Sequence, residues 1–485
     1  MTIAAMSLLS KKDIEKVHEA SLTILADVGV KVESDGVREA LKAAGARVAD
    51  SKELVFLDEA MVDRSIESAP EKVSICSRSG RDYIIPSEGV QLISPDGQPP
   101  AVLDAETGQK RTSTLKDLRD MMILADALPE VGFIWPTVIA TDMPADRSSY
   151  YEFLTAIAYS SKHIQHGATS AEEAMFQIEV CSAILGSKEA LKERPIFSDV
   201  STPISPLRYD AGEADAIGIL AKAGVPVIHL SMAIAGAVTP ASIAGSLAVV
   251  NAENLFGMTM SQTASEGAPS IYSSFSGVMD LRSGVFVCGT PEGVLLDSAA
   301  VQMAQHYGVP TCAGGPGNSA RSLSSEAAAE GAMTAMGALL MGADMMVGLG
   351  GIDRAGMISS EKMVMDCEVW KWLQRLREGI QVDDATLGVD AIARQGPGGT
   401  FLSDVHTAKH LRTEFMIPQI TAYHLKREPD RIEDELLTFA KTRVEKLLST
   451  HKPPLFDAAI ASRVGEVAKK YGILMPDGSQ IFEHA

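Results

Sequence analysis

The sequence predicts a closed parallel (β/α)8 barrel, an α/β fold, over 90–377, with an α+β leader over 1–89 and a helical region over 378–485. Three observations carry this. Eight short apolar runs rich in β-branched residues recur between Val90 and Leu349, at spacings of roughly thirty to forty residues. Each is followed by a polar loop and then by an Ala-, Leu- and Met-rich helical pattern opened by a hydroxyl or acidic cap. No GxGxxG follows the first run, which removes the main positive sign of an open dinucleotide-binding sheet.

In chain order, the leader begins with an amphipathic helix over Lys11–Val28, capped by Ser10 and Asp13, and a shorter one over Val37–Ala44. Short strands are expected at Leu54–Leu57, Val73–Cys76 and Tyr83–Ile85. The barrel strands are read at Val90–Ser94, Val131–Ala140, His163–Ala168, Pro195–Ser201, Val225–Met232, Pro269–Phe275, Pro310–Ala313 and Met345–Leu349. Thr114 with Asp117 caps a helix through Leu128, Tyr150–Ser160 is the second, and Ser170 with Glu173 caps a third to Leu185. Thr239-Pro240 and Thr290-Pro291 open the helices after strands five and six, the latter with Glu292 as a first-turn dipole partner. After Trp372 the apolar strand runs stop, charge rises, and Glu433–Leu448 and Pro454–Tyr471 read as surface helices.

Composition bounds the function. A chain of 485 residues with 46% hydrophobic content suits a large central domain with flanking pieces. No apolar run reaches membrane-spanning length and no signal peptide opens the chain, so a cytoplasmic protein is expected. The five cysteines form no CxxC pair, which argues against a disulfide framework or a zinc ribbon. The net charge of −20 argues against nucleic acid as a partner and suits a cationic ligand.

Chemistry in such a barrel sits where strands run out into their following loops. Trp135 and Tyr272 fall there, and a buried aromatic face at a barrel mouth attracts a cation. His166, His229, Arg282 and Arg321 are the donor or cationic side chains nearest predicted strand ends, with Asp280 a loop salt-bridge partner for Arg282. The Gly-rich loops after strands seven and eight, with Gly314, Gly315, Gly317, Asn318, Gly350 and Gly351, read as backbone that approaches a phosphate or planar cofactor. His406 and His410 lie four apart, on one face of a helix, but lack a third ligand at a fixed spacing, so no metal site is assigned.

The run SPLRYD, GVPVIHLSMAIAGAVTPASIAGSLAVVNAENL, GAPSIYSSFSGVMDLRSG, GTPEG, YGVP and GADMMVGLGGIDRAGMISSEKMVMDCE resembles the trimethylamine methyltransferase family, over roughly Val90 to Trp372. The resemblance implies a TIM barrel that moves a methyl group from an amine to the cobalt of a corrinoid (cobalamin) carried by a separate protein and not tightly bound by this chain. Founding members carry pyrrolysine in the loop after strand seven, whereas Ala313–Arg321 is entirely standard here. A methyl group leaves readily when its nitrogen departs neutral, so a tertiary amine needs prior activation and a quaternary amine does not. The resemblance therefore implies demethylation of a quaternary amine such as glycine betaine, proline betaine or carnitine, with the cognate corrinoid protein as partner and a homo-oligomer expected. The alternatives are a metal-dependent methyltransferase recruiting Cys288, Cys312, His229 and His306, and a catalytically inactive relative with a binding role. No predicted strand core carries the lysine a Schiff-base aldolase would need.

Overall fold

The computed structural model describes residues 7–416 and 435–474. Eight parallel strands form its centre: β1 (Leu92–Pro95), β2 (Phe133–Ile134), β3 (His163–His166), β4 (Phe197–Ser201), β5 (Val227–Ser231), β6 (Ser270–Ser274), β7 (Thr311–Gly314) and β8 (Met345–Leu349). They pair in the order β1-β8-β7-β6-β5-β4-β3-β2, and a parallel bridge between Ile93 and Val131 brings β1 against the lead-in to β2. The Gly132 N–H donates to the Ile93 carbonyl at 2.9 Å, which closes the ring. All eight strands lie within or against the predicted runs, with β2 much shorter than its run.

A helix follows each strand: α1 (Leu115–Ala127), α2 (Ser148–Tyr159), α3 (Ala171–Leu185), α4 (Ala211–Ala223), α5 (Ile243–Ala264), α6 (Pro291–Tyr307), α7 (Ser325–Met341) and α8 (Ser360–Glu378). Thr114 and Asp117 form a reciprocal capping box on α1, Ser170 accepts from the Glu173 N–H, and Thr290 accepts from the Gly293 N–H with Pro291 in the first turn. The Thr239 cap is corrected. Helix α5 starts at Ile243, and the Thr239 hydroxyl instead meets the Ser246 hydroxyl at 2.7 Å.

The leader is stitched to the barrel rather than merely preceding it. Its strand Val30–Val32 pairs with Arg208–Tyr209 in the loop after β4, where Glu33 and Arg208 form an ion pair at 2.7 Å. The hairpin Val73–Ile75 and Tyr83–Ile85 plugs the N-terminal end of the barrel, because Val73, Ile75 and Ile85 share one apolar cluster with the inward residues of the strands. The other end is rimmed by two small sheets. One joins the hairpin Ala101–Leu103 and Lys110–Thr112 to Gly351–Ile352 and Met357–Ile358; the other joins Ile234–Ala235 to Gly277–Asp280 and Val285–Val287.

Candidate active site at the barrel mouth

Alternation along each strand decides which side chains can line a site, because successive residues face opposite sides of the sheet. Leu92, Phe133, Val200, Ile228, Leu230, Ile271, Cys312, Met345 and Val347 belong to the cluster inside the barrel, with Trp135, Met232 and Phe275 packed on it. By the same parity Asp96 follows Leu92 inward at the end of β1, and Gln165 lies beside Trp135, since His163 and Ile164 pair with Phe133 and Ile134. Ile93, Ile134, Ile164, Val227 and Met346 face the helices.

The mouth therefore combines aromatic rings with an acid. Trp135 lies across Gly97, where a Cβ would come within 2.2 Å of the indole ring, so only glycine lets the two approach. The buried Trp135 indole N–H and Gln165 carboxamide oxygen have no protein partner. Asp96 is buried, accepts from the Gly97 N–H at 3.0 Å, and is pushed by burial up to about 6. Among the described residues the inward strand positions carry no lysine or arginine. Their one histidine, His163, sits at the plugged end between the Cys76 carbonyl at 2.8 Å and the Ser198 hydroxyl at 3.0 Å, and burial lowers it to about 4.

Behind the mouth, buried and half-buried carboxylates from the helices receive the backbone of the strand-end loops. Glu152 of α2 accepts from the Ala140 N–H at 3.1 Å and Gln98 at 3.0 Å. Glu253 of α5 accepts from the Leu207 N–H at 2.8 Å, Ser205 at 2.9 Å and Ser231. Asp297 of α6 accepts from the Ser276 N–H at 2.9 Å and Ser274 at 2.6 Å. Glu330 of α7 accepts from the Ser319 N–H at 2.7 Å, Asp366 of α8 from the Gly350 N–H at 2.8 Å, and Glu213 of α4 from the Thr202 N–H. Burial raises Glu213 and Asp297 to about 7. This collar fixes the loops and surrounds the mouth with acidic groups. The sequence signal for it is a lone acid inside a long apolar helix, as in GVLLDSAAV around Asp297.

Of the predicted site residues, the structure brings Trp135 to the mouth and places the other donors elsewhere. His166 faces outward, edge-on to Phe153 with ring centroids 5.6 Å apart and 3.1 Å from Gln177, and burial lowers it to about 4. His229 packs against α5, 3.3 Å from Ser261, where burial lowers it to about 3. Tyr272 also faces α5 and donates to Asn251 at 3.1 Å. The reason is register: each sits one residue off the inward phase. Arg282 is 92% exposed and bonded to Asp280 at 3.0 Å in the turn of a rim hairpin, which is the expected loop salt bridge. Arg321 is 77% exposed and 3.7 Å from Asp353, which already holds Lys110 at 2.9 Å and Arg354 at 2.6 Å.

The glycine loops are closely approached by the chain's own atoms. A Cβ on Gly314 would strike Phe275 at 2.4 Å, on Gly315 the Val347 carbonyl at 2.8 Å, and on Gly351 the Asp96 carboxylate at 2.1 Å. Gly317 lies over Phe275, and Gly350 packs on Ser359, Ile358 and Met363. The space enclosed by Phe275, Asp297, Gly314 and Gly317 is about 10 Å³, room for one water. Asn318 ties the two loops together by donating to the Gly351 carbonyl at 2.7 Å. Cys312 faces the lumen and His229 the helices, while His306 lies beside His18 and Tyr307 with ring centroids 6.5 and 5.3 Å away, so these do not converge on a metal. Among the described residues no group of three His, Cys, Asp or Glu side chains is arranged to hold a metal ion, and the His406 and His410 rings lie tilted against each other with centroids 4.3 Å apart. No helix among the described residues is long and apolar enough to cross a membrane.

A family model described as trimethylamine methyltransferase (MTTB) matches residues 1–471. The chain is 29% identical over 460 residues to a glycine betaine methyltransferase of Desulfitobacterium hafniense (strain Y51), covering 94% of this chain and 95% of the relative. It is 28% identical over 406 residues to the trimethylamine methyltransferase MttB of Desulfitobacterium hafniense (strain DSM 10664 / DCB-2), covering 84% and 82%. It is 27% identical over 471 residues to MttB of Methanosarcina barkeri, covering 96% and 95%. Among solved structures, dihydropteroate synthase of Xanthomonas albilineans gives a TM-score of 0.36 at 14% identity over 63% of this chain and 99% of that one. The Yersinia pestis enzyme gives 0.37 at 12% identity over 64% and 100%.

Proposed function

The chain belongs to the trimethylamine methyltransferase family and is a methyltransferase, and from that premise we propose that it demethylates a quaternary ammonium compound, glycine betaine or a related betaine, leaving a tertiary amine. The acceptor is the Co(I) of a corrinoid held by a separate carrier protein, which supplies the nucleophile when docked at the mouth. The observation that carries the reading is the inward set itself: Trp135, Phe275 and Asp96 at the open end, with no lysine or arginine among the described inward positions.

This set does what the chemistry requires of the protein. A quaternary nitrogen keeps its positive charge until the methyl leaves, so the site must hold a cation without donating a proton to it. An ionised Asp96 supplies a counter-charge and the indole a π face, in a lumen where burial limits screening by water. The unpartnered Trp135 N–H is a donor available to a betaine carboxylate, with the Gln165 amide beside it. The plugged lower end excludes solvent from below and leaves the rim as the approach to the methyl group.

The test is a panel of quaternary and tertiary amines with free cob(I)alamin as acceptor. A betaine is expected to be demethylated and trimethylamine is not. Comparable rates on trimethylamine would sink the assignment.

A further inference from the structure

A buried ion pair stands beside the mouth without a part in the proposed function. Lys362 lies in the first turn of α8 with its ammonium 2.7 and 2.8 Å from the two oxygens of Asp366, and both side chains are withdrawn from solvent. A lysine there runs against burial and against the helix dipole, which favours acids in a first turn. Well-packed apolar side chains of similar volume often stabilise such a position as well or better, so fold stability does not account for the pair.

Its contacts lead to the site. Asp366 accepts from the Gly350 N–H at 2.8 Å and so fixes the turn from β8 into the rim strand Gly351–Ile352. Gly351 lies on Asp96, whose carboxylate is 2.1 Å from the place a Cβ would take, and the Asp96 N–H donates to the Leu349 carbonyl at 2.9 Å. Two acids and one lysine therefore share a buried corner, in which Lys362 favours the ionised Asp96 carboxylate and Asp366 opposes it. On α8 itself Glu361 turns back to the Ser359 hydroxyl at 2.8 Å. Helix α7 meets the Lys362 ammonium with the uncharged Gly331, and β2 lays the neutral Trp135 across Gly97. Cys288, ahead of α6, is pushed by burial up to about 12 and stays a thiol.

We propose that Lys362 is a positioning residue for the demethylation: through Asp366 it holds the Gly350–Gly351 turn against Asp96, and its charge leaves Asp96 free to act as the counter-charge to the quaternary nitrogen. The inference rests on the role given to Asp96 above. Charge balance is the reason. With Lys362 in place and both acids ionised, the corner carries one net negative charge, which a bound cation neutralises. Without it two buried carboxylates confront each other, and one keeps a proton well into the neutral range.

The test is the pH dependence of tetramethylammonium binding to the full chain, followed by calorimetric titration between about pH 5 and 9. Wild-type affinity is expected to fall as pH drops through about 6, and the fall to be absent in Asp96→Asn. In Lys362→Met the midpoint is expected at least about one pH unit higher, with affinity within about threefold of the wild type at pH 9. A lysine that served only the fold would lower stability and leave the midpoint in place. An unmoved midpoint in Lys362→Met, with the Asp96-dependent fall intact in the wild type, overturns this inference alone. A wild type without the fall overturns Asp96 as counter-charge and this inference with it. Should Lys362→Met not fold, Asp366→Asn decides. It keeps an acceptor for Gly350 and removes the opposing charge, so its midpoint is expected below that of the wild type, and an unchanged midpoint overturns the proposal.

Discussion

Trp135 and Tyr272 both sit near ends of barrel strands and both read as cage aromatics in the sequence, yet one lines the lumen and the other the layer between strands and helices. The lumen face holds the unpartnered indole N–H and a buried carboxylate. The helix face is a packed layer in which Tyr272 bonds Asn251, His166 bonds Gln177 and His229 bonds Ser261. The comparison teaches that a polar or aromatic residue at a strand end announces a site only when its phase is inward. Position along the strand is not enough.

The sharpest separation of the two faces is by what each substitution damages. Tyr272→Ala is expected to cost about 3–5 kcal/mol of unfolding free energy, from the cavity and the unpaired Asn251 left behind. Ligand affinity in the folded fraction should change less than about twofold, or about 0.4 kcal/mol. Chemical denaturation and calorimetric titration on the same preparation measure both. A selective loss of affinity with unchanged stability would move Tyr272 into the site and break the comparison.

Asp96→Asn is expected to do the reverse, weakening a quaternary ammonium ligand by about 2 kcal/mol, roughly thirtyfold, at pH 8. Burial places the folded carboxyl at about 6, above its unfolded value. Its stability contribution is therefore fully present at low pH and lost as pH rises through about 6, so the Asn variant should melt no lower than the parent at pH 8. Binding runs the other way: the counter-charge exists above about 6 and disappears as pH falls through it. Wild-type affinity should decline below that pH while the variant's stays flat. A variant that loses stability but keeps affinity would return Asp96 to the structural collar.

Trp135→Ala is the milder lumen change. It removes a π face and a donor but leaves the acid, so about 1–2 kcal/mol of affinity, roughly tenfold, should be lost. Thermal stability should fall less than for Tyr272→Ala, because Trp135 is only partly buried. The opposite ordering would mean that Trp135 is core.

The fold was legible because its signals are local. Apolar runs, hydroxyl caps and helix periods recur eight times, and the capping pairs Thr114 with Asp117 and Ser170 with Glu173 stand where they were read. The site was less legible because its signals are relational. Whether His229 or Leu230 faces the lumen is a matter of one residue of phase, and both lie in an unbroken buried run, VIHLS, where alternation of polarity is absent. Asp96 was overlooked because an acid after a strand looks like a turn residue, and only closure of the barrel brings it beside Gly351. For the glycine loops the sequence shows that something approaches closely, and the structure shows that Phe275, Val347 and Asp96 are among the approaching groups.

The smallest expected effect concerns Arg321, which the sequence offered as the carboxylate anchor on the loop after β7. Its guanidinium is mostly in water, and the nearest carboxylate, Asp353, is already held by Lys110 and Arg354 at shorter distances. An exposed and redundant ion pair of this kind is worth less than about 0.5 kcal/mol. Arg321→Ala should thus alter affinity for a betaine and for tetramethylammonium by less than about twofold each, with stability changed by less than about 0.5 kcal/mol. The two ligands form the control, since both carry the quaternary head and only one carries a carboxylate. A tenfold loss confined to the betaine, about 1.4 kcal/mol, would show that the loop swings Arg321 inward on binding. The lumen would then gain, on ligation, the basic side chain that its inward strand positions lack in this structure.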